Sequence, residues 1–120
     1  MATSAPILTA AEMARIAPYL PRKRDDPVVI SAIVYRNWSG ESLRHIATWY
    51  GVTVGRLQTW EKQLRDGGQL AAIMKEFGLP HASALQWSNG GQVSAWRNPD
   101  MAKRIAALRF QQFRAALRAA

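Results

Sequence analysis

The stretch SLRHIATWYGVTVGRLQTW, residues 42–60, holds a single turn glycine between two amphipathic patterns. That glycine, Gly51, can adopt the left-handed backbone conformation that other residues resist, so the chain can reverse direction within a few residues. Ala47 is small enough to let a second helix approach closely, and Thr53 is of a type that commonly precedes a helix. The stretch therefore predicts two helices joined by a tight turn, which is the helix-turn-helix arrangement.

The second of these helices has two different faces when its residues are placed about 100° apart. Leu57, Trp60 and Leu64 form an apolar stripe that we expect to pack inward. The opposite face holds no acidic residue and consists of Gly55, Gln58, Thr59, Lys62 and Arg65. Glu61 is expected near the edge of that face, where it could steer Lys62 or Arg65. Such side chains can bond base edges and phosphates, so this face predicts a helix that enters the major groove of DNA.

The composition favours a polyanionic partner. The chain has 120 residues, with 16 lysines and arginines against 8 aspartates and glutamates and a formal net charge of +8. Nearly half of the residues are hydrophobic, at 48%, which is too many for a disordered polybasic tail. Nucleic acid is the commonest partner of a small, basic, folded domain, and an anionic membrane surface is the second possibility.

Several classes of function are not expected from the sequence. There is no cysteine, which excludes disulfides and thiolate metal sites and fits a reducing cytosol. No apolar run is long enough to cross a bilayer, and the first residues lack the pattern of a secretory leader, so we expect a cytoplasmic protein with no membrane partner. No nucleophile–base pair, metal-ligand cluster or phosphate-binding loop stands out. We therefore expect no catalytic residue, metal or cofactor, and no enzyme activity.

Two earlier elements have clear start signals. Thr9 and Glu12 have the spacing of a capping box, which predicts a first helix. Asp26 is a plausible N-cap, and Pro27 fits the first turn of the helix that follows it. The β-branched run at residues 28–35 could pass for a strand, because periodicity cannot separate the two cases. The cap favours a buried central helix.

The region after residue 68 leaves two interpretations open. LRHIATWYGVTVGRLQTW aligns with LAAIMKEFGLPHASALQW at a constant offset of 27 residues, which pairs Gly51 with Gly78 and Trp60 with Trp87. Such internal repetition can mean a tandem architecture. Residues 69–88 then form either a second helix-turn-helix or a short helix packed on the first unit. A loop rich in serine, asparagine and glycine follows it.

The last element predicts an amphipathic helix that begins near Asn98 and Pro99. Arg109 falls among its apolar residues. The predicted apolar stripe contains Met101, Ile105, Leu108, Phe110, Phe113 and Leu117. The predicted basic side contains Lys103, Arg104, Arg114 and Arg118. Docking onto the body, dimerisation, phosphate contact and binding to a membrane surface are all compatible with this pattern.

These sequences also resemble a known family. SGESLRHIATWYGVTVGRLQTW resembles the helix-turn-helix modules of bacterial transposases and related regulators. LTAAEMARIAPYLP followed by VVISAIVYRNWSGESLRHI resembles the N-terminal DNA-binding region of insertion-sequence transposases, and the similarity spans residues 8–68. The resemblance implies base-reading positions at Val54, Gly55, Gln58, Thr59 and Lys62. A transposase also needs a nuclease domain with spaced carboxylates for two metal ions. The residues after Gly68 do not supply one, which suggests a stand-alone regulator.

The sequence thus predicts an all-α fold, a small helical bundle with one helix-turn-helix unit or two in tandem, plus a C-terminal amphipathic helix. The expected segments are a flexible N-terminus at 1–7, a transposase-like domain at 8–68, a short helical unit or second helix-turn-helix with a glycine-rich loop at 69–97, and a basic helix at 98–120. The expected DNA-binding residues are Arg44, Thr53, Val54, Gly55, Arg56, Gln58, Thr59, Lys62 and Arg65.

The leading functional hypothesis is a bacterial, nucleoid-associated transcriptional regulator that reads double-stranded DNA in the major groove with the helix at 53–65. A homodimer is compatible with it, because one such unit buries little DNA surface. Two alternatives remain. The protein could be an interaction adaptor or anti-activator that grips the transcription machinery with its C-terminal helix, or a nucleoid protein without sequence preference.

Overall fold

The computed structural model describes residues 5–21, 26–79 and 99–119, and every regular element within them is helical. The predicted all-α class is therefore confirmed. The β-branched run at 28–35 is helical, as its cap predicted. The helices are α1 (Ala10–Ile16), α2 (Pro27–Ser39), α3 (Leu43–Tyr50), α4 (Val54–Asp66), α5 (Gln69–Glu76) and α6 (Pro99–Ala119), with a 3-10 turn at Ala17–Tyr19 after α1. The glycine-rich loop and most of the proposed second reading helix lie outside the described residues.

The helix starts follow the predicted caps. The Thr9 hydroxyl accepts from the Glu12 backbone N–H at 3.1 Å, and the Glu12 carboxylate accepts from the Thr9 N–H at 2.8 Å, which confirms the capping box. Asp26 caps α2 by accepting from the Val28 N–H at 2.9 Å, and Pro27 is the first residue of that helix. Because each cap satisfies a backbone donor that the helix cannot, local sequence alone sets these boundaries.

Helix α2 is the centre of the fold. Its residues from Val29 to Tyr35 are all buried, and it contacts α3, α4, α5 and α6. An apolar helix with no solvent-facing stripe belongs inside a protein. Even Ser31 on this helix is fully buried, and its hydroxyl accepts from the Leu8 backbone N–H at 2.8 Å while donating to the Pro27 carbonyl.

The N-terminal segment at residues 5–9, part of which was expected to be flexible, packs against the helices. The carbonyl of Pro6 accepts from the Tyr50 hydroxyl at 2.9 Å, and the carbonyl of Ile7 accepts from the Arg114 guanidinium. Ala5 and Leu8 are buried. This segment connects α2, α3 and α6, because each of these helices contributes one of its hydrogen-bonding partners.

Helix α6 completes the same core by docking onto α2, which is one of the arrangements that its amphipathic pattern left open. Phe110 and Phe113 pack edge-on against Tyr35 of α2, with ring centroids 5.3 and 5.2 Å away. Two predictions for this helix are wrong. Leu108 is 55% exposed rather than part of the apolar stripe, and Arg114 is half-buried rather than solvated. The side chains of Met101, Lys103 and Arg118 lie outside the described residues.

Candidate nucleic-acid interface

The turn between α3 and α4 spans residues 51–53. Gly51 has φ 68° and ψ 33°, the predicted left-handed conformation, and the Val52 N–H reaches back to the Ala47 carbonyl at 3.1 Å. The Thr53 hydroxyl caps α4 by accepting from the Arg56 N–H at 3.2 Å. A Cβ at Gly51 would meet nothing within 4 Å. Glycine is therefore needed for its backbone conformation, which costs other L-residues about 1–2 kcal/mol.

The inner side of α4 matches the predicted stripe. Leu57, Trp60 and Leu64 are 1%, 5% and 1% exposed, and all three belong to the core. Ile46 and Ala47 of α3 are also buried, as the sequence indicated. Because this stripe is locked to the body, the opposite side of α4 is held outward by packing rather than by its own polarity.

Glu61 is the main correction to the predicted faces of α4. It is 6% exposed, and the Arg36 Nη1 atom lies 2.7 Å from both of its carboxylate oxygens. The Asn37 amide donates to the same carboxylate at 3.1 Å. Arg65 does approach it, but at 3.8 Å. Glu61 follows Leu57 by four residues and precedes Leu64 by three, so helical spacing alone was enough to place it on the buried stripe.

The outward surface of α4, from its cap to its last turn, carries eight of the nine predicted DNA-binding residues. They are all exposed: Thr53, Val54, Gly55, Arg56, Gln58, Thr59, Lys62 and Arg65. We call this surface the α4 outer face. A Cβ built on Gly55 would meet nothing within 4 Å, so the space above this residue is open. The ninth residue, Arg44, is exposed on α3.

Arg56 has partners that the sequence did not predict. Its guanidinium lies 3.2 Å from the Asp26 carboxylate and 5.1 Å from the centroid of the Trp60 ring. The side chains of Arg56 and Asp26 remain 47% and 36% exposed. Asp26 precedes Arg56 by 30 residues, and no local pattern connects the two. Arg56 is thus a partly neutralised cation, unlike Lys62 on the same face.

The electrostatics of this face follow from where the carboxylates lie. Within the described part of the chain, Lys62 and Arg44 form no ion pair. The acid of the central turn, Glu61, is turned inward, and the exposed acid of α4 is its last residue, Asp66. Near the start of α4 the cation of this face is thus the partly neutralised Arg56, and toward its end the face is cationic through Lys62 and Arg65.

Comparison of the chain with models of known families, with curated proteins and with solved structures finds no match. Among the residues that the structure describes, no three histidine, aspartate or glutamate side chains come together as a group able to hold a metal ion. No described helix is both long enough and apolar enough to span a bilayer.

Proposed function

We propose that this protein binds double-stranded DNA with the α4 outer face in the major groove and acts as a sequence-specific transcriptional regulator. The observation that carries the proposal is the exposure of Gln58, Thr59 and Lys62 beside an inward-turned Glu61. An α-helix fits the major groove, where each base pair presents its own pattern of donors and acceptors. The resemblance of residues 8–68 to transposase DNA-binding regions supports the same function.

The residues of this face divide into two roles. Val54, Gly55, Gln58 and Thr59 are uncharged and close to the start of α4, so they are assigned to base edges. Lys62, Arg65 and Arg44 are assigned to phosphates, which position a protein on the duplex without reading its sequence. Arg56 joins the phosphate group by exchanging its Asp26 partner, and Thr53 contributes as the cap that fixes the first turn.

The test of the function is a salt titration. Duplexes selected by the protein from a random pool are compared with random duplexes, for the wild type and for Lys62→Met. Loss of one phosphate contact should weaken binding to all sequences and reduce the slope of log K against log salt by about 0.9. Lys75→Met is the matched control, because Lys75 is also exposed but lies on α5. Equal slopes for both variants would contradict the proposed interface.

Specific binding is tested separately with Gln58→Ala. We expect preference to weaken at one or two base pairs, by about 1–3 kcal/mol per bidentate contact, while the salt slope is unchanged. If the wild type binds selected and random duplexes equally well, the protein coats DNA without preference, as the nucleoid alternative proposes. A mass measurement on the protein–DNA complex tests the proposed homodimer.

A second candidate function rests on one observation on α6. Leu108 is 55% exposed on a helix that buries Phe110 and Phe113, so it is available to a protein partner. An adaptor that grips the transcription machinery would bind purified RNA polymerase, lose that binding in Leu108→Ser, and show no salt-dependent binding to duplexes. Retained polymerase binding in Leu108→Ser would count against this alternative.

A further inference from the structure

Val54 is an apolar side chain that lies partly in solvent and not in the hydrophobic core. It lies in the first turn of α4 and is 39% exposed, and Leu108 of α6 is the other large hydrophobic side chain exposed among the described residues. Val54 points toward the solvent from the same helix that buries Leu57 and Trp60. If α4 enters the major groove, the apolar group it meets there is the C5 methyl of thymine.

Gln58 continues the same stripe one helical turn later, because residues four apart lie above one another on a helix. One turn advances about 5.4 Å, so Val54 and Gln58 reach neighbouring rather than distant base pairs. Glutamine can bond adenine through both N6 and N7. An exposed Gln58 beside an exposed Val54 therefore matches adenine and thymine groups at adjacent steps.

The residue type that reads guanine lies on another side of this part of α4, because Arg56 is about 200° around the helix from Val54 and from Gln58. Arginine is the commonest partner of guanine in the major groove. Arg56, the arginine of the first turn, is paired with Asp26 at 3.2 Å and lies over the Trp60 ring. Lys62 follows Val54 by eight residues, which is about 12 Å along the helix. The groove-facing start of α4 is therefore left to uncharged side chains.

Building on the proposed function, we infer that α4 selects A·T base pairs, with Val54 against a thymine methyl and Gln58 on an adenine. Val54 and Gln58 are then the residues that determine specificity, and the cations on this face supply affinity. The preference arises from one buried methyl contact and one two-bonded adenine contact, because Arg56 is held over the Trp60 ring on another side of α4 and is left to the phosphates.

The experiment removes single groups from the DNA. A site is first selected from random duplexes, and each thymine is then replaced by uracil, which lacks only the C5 methyl. At the position that Val54 contacts, we expect wild-type affinity to fall about fourfold, the equivalent of roughly 0.8 kcal/mol for one buried methyl group. In Val54→Ala the same replacement should have no effect. This double-mutant cycle isolates the contact between one side chain and one methyl.

A parallel cycle tests Gln58. Replacing adenine by 7-deazaadenine removes the N7 acceptor, which should weaken wild-type binding about fivefold or more but leave Gln58→Ala unaffected. Leu108→Ala is the control in both cycles, because it truncates an exposed apolar side chain on α6 and should keep both DNA effects. Val54 and Gln58 are both exposed, so Val54→Ala and Gln58→Ala should fold like the wild type, which circular dichroism checks.

The outcomes separate the inference from the function on which it rests. If the protein selects G·C pairs, or if Val54→Ala still responds to uracil, the protein reads DNA but not in this way, and the inference is overturned alone. If the wild type binds no duplex with salt dependence, the proposed function fails together with the inference. The inference is supported if the protein selects A·T pairs and if each double-mutant cycle shows that the effect of the altered base depends on the side chain.

Discussion

The helices α4 and α6 are both rich in basic residues, but they use their cations differently. On α6, Arg109 is 9% exposed and is paired with the buried Glu41, and Arg114 contacts Glu12 at 3.3 Å. On α4, the side chain of Arg65 is 60% exposed, and Lys62 is also exposed. Arg109 and Arg114 hold α6 to the body, whereas Lys62 and Arg65 lie largely in solvent.

The difference between the two helices lies in the positions of the carboxylates. Glu41 and Glu12 meet Arg109 and Arg114 of α6, while Glu61 of α4 lies 2.7 Å from Arg36 of α2 and 3.8 Å from Arg65 of its own helix. Net charge alone therefore does not locate a binding surface. A basic surface arises where the acids of the same region have been taken inward by other partners.

The difference between α4 and α6 is tested most directly by truncating one arginine on each helix. Arg109→Met should lower the free energy of unfolding by about 3–5 kcal/mol, because the buried carboxylate of Glu41 loses its arginine partner and is left beside the His45 ring nitrogen at 3.4 Å. Arg65→Met should change it by no more than about 0.5 kcal/mol, because its side chain is mostly in solvent. Urea unfolding measures both. Equal losses would mean that the two helices do not differ in this way.

Glu61→Gln tests the inward position of the acid on α4. We expect stability to fall by about 1.5–3 kcal/mol, because Arg36 loses a charged partner that accepts at both oxygens. Asp66→Asn, which removes the exposed acid of the same helix, should leave stability unchanged within error. A stable Glu61→Gln protein would instead indicate a solvent-facing Glu61 on the α4 outer face.

Two tyrosines, Tyr35 and Tyr50, test the packing of the core against which α6 docks. The hydroxyl of Tyr35 is buried without a hydrogen-bond partner in the described structure, whereas the hydroxyl of Tyr50 donates to Pro6. Tyr50→Phe should therefore cost about 1 kcal/mol, and Tyr35→Phe should cost nothing or stabilise the protein. Thermal unfolding at neutral pH compares them, and a larger loss for Tyr35→Phe would contradict the packing.

The same tyrosines predict loss of stability at alkaline pH. Burial is the main cause that raises the pKa of both hydroxyls well above the usual value of about 10. The unfolded chain then loses these protons near pH 10 while the folded chain keeps them, so stability falls as pH rises further. Each tyrosine contributes up to about 1.4 kcal/mol per pH unit, and Tyr50→Phe should remove one such contribution. A slope unaffected by the substitution would contradict this cause.

The smallest effect is expected at Gly55→Ala and has opposite signs in two measurements. Glycine within a helix costs about 0.5–1 kcal/mol relative to alanine, and a Cβ here meets nothing. The variant should therefore be more stable by that amount, yet bind selected duplexes more weakly if the DNA backbone or a base approaches this position closely. A gain in stability with unchanged binding would show that the DNA does not approach Gly55 closely.

Much of the fold was predictable because it rests on short-range rules. The caps Thr9, Asp26 and Thr53 and the left-handed Gly51 each act within four residues of their own position. The exposure of the α4 outer face followed from helical spacing in the same way, but Glu61, which was expected at the edge of that face, is buried. What spacing could not predict is the partner of that carboxylate, because Arg36 lies on another helix.

The long-range contacts were beyond the sequence. Arg109 and Glu41 are 68 residues apart, and Arg114 and Glu12 are 102 apart. Nothing in either neighbourhood indicates which carboxylate an arginine will meet. For the same reason the sequence could assign Arg56 to the α4 outer face but could not reveal that Asp26 already neutralises part of its charge.

By itself the sequence determined where helices begin and end, where the chain turns, and which side of α4 is apolar. These features depend on backbone conformation, capping and helical period, all of which operate within one or two turns. The tertiary structure alone decided which charges are buried in pairs and which remain on the surface. An ion pair needs two side chains to meet in space, and only the packing of whole helices brings such distant residues together.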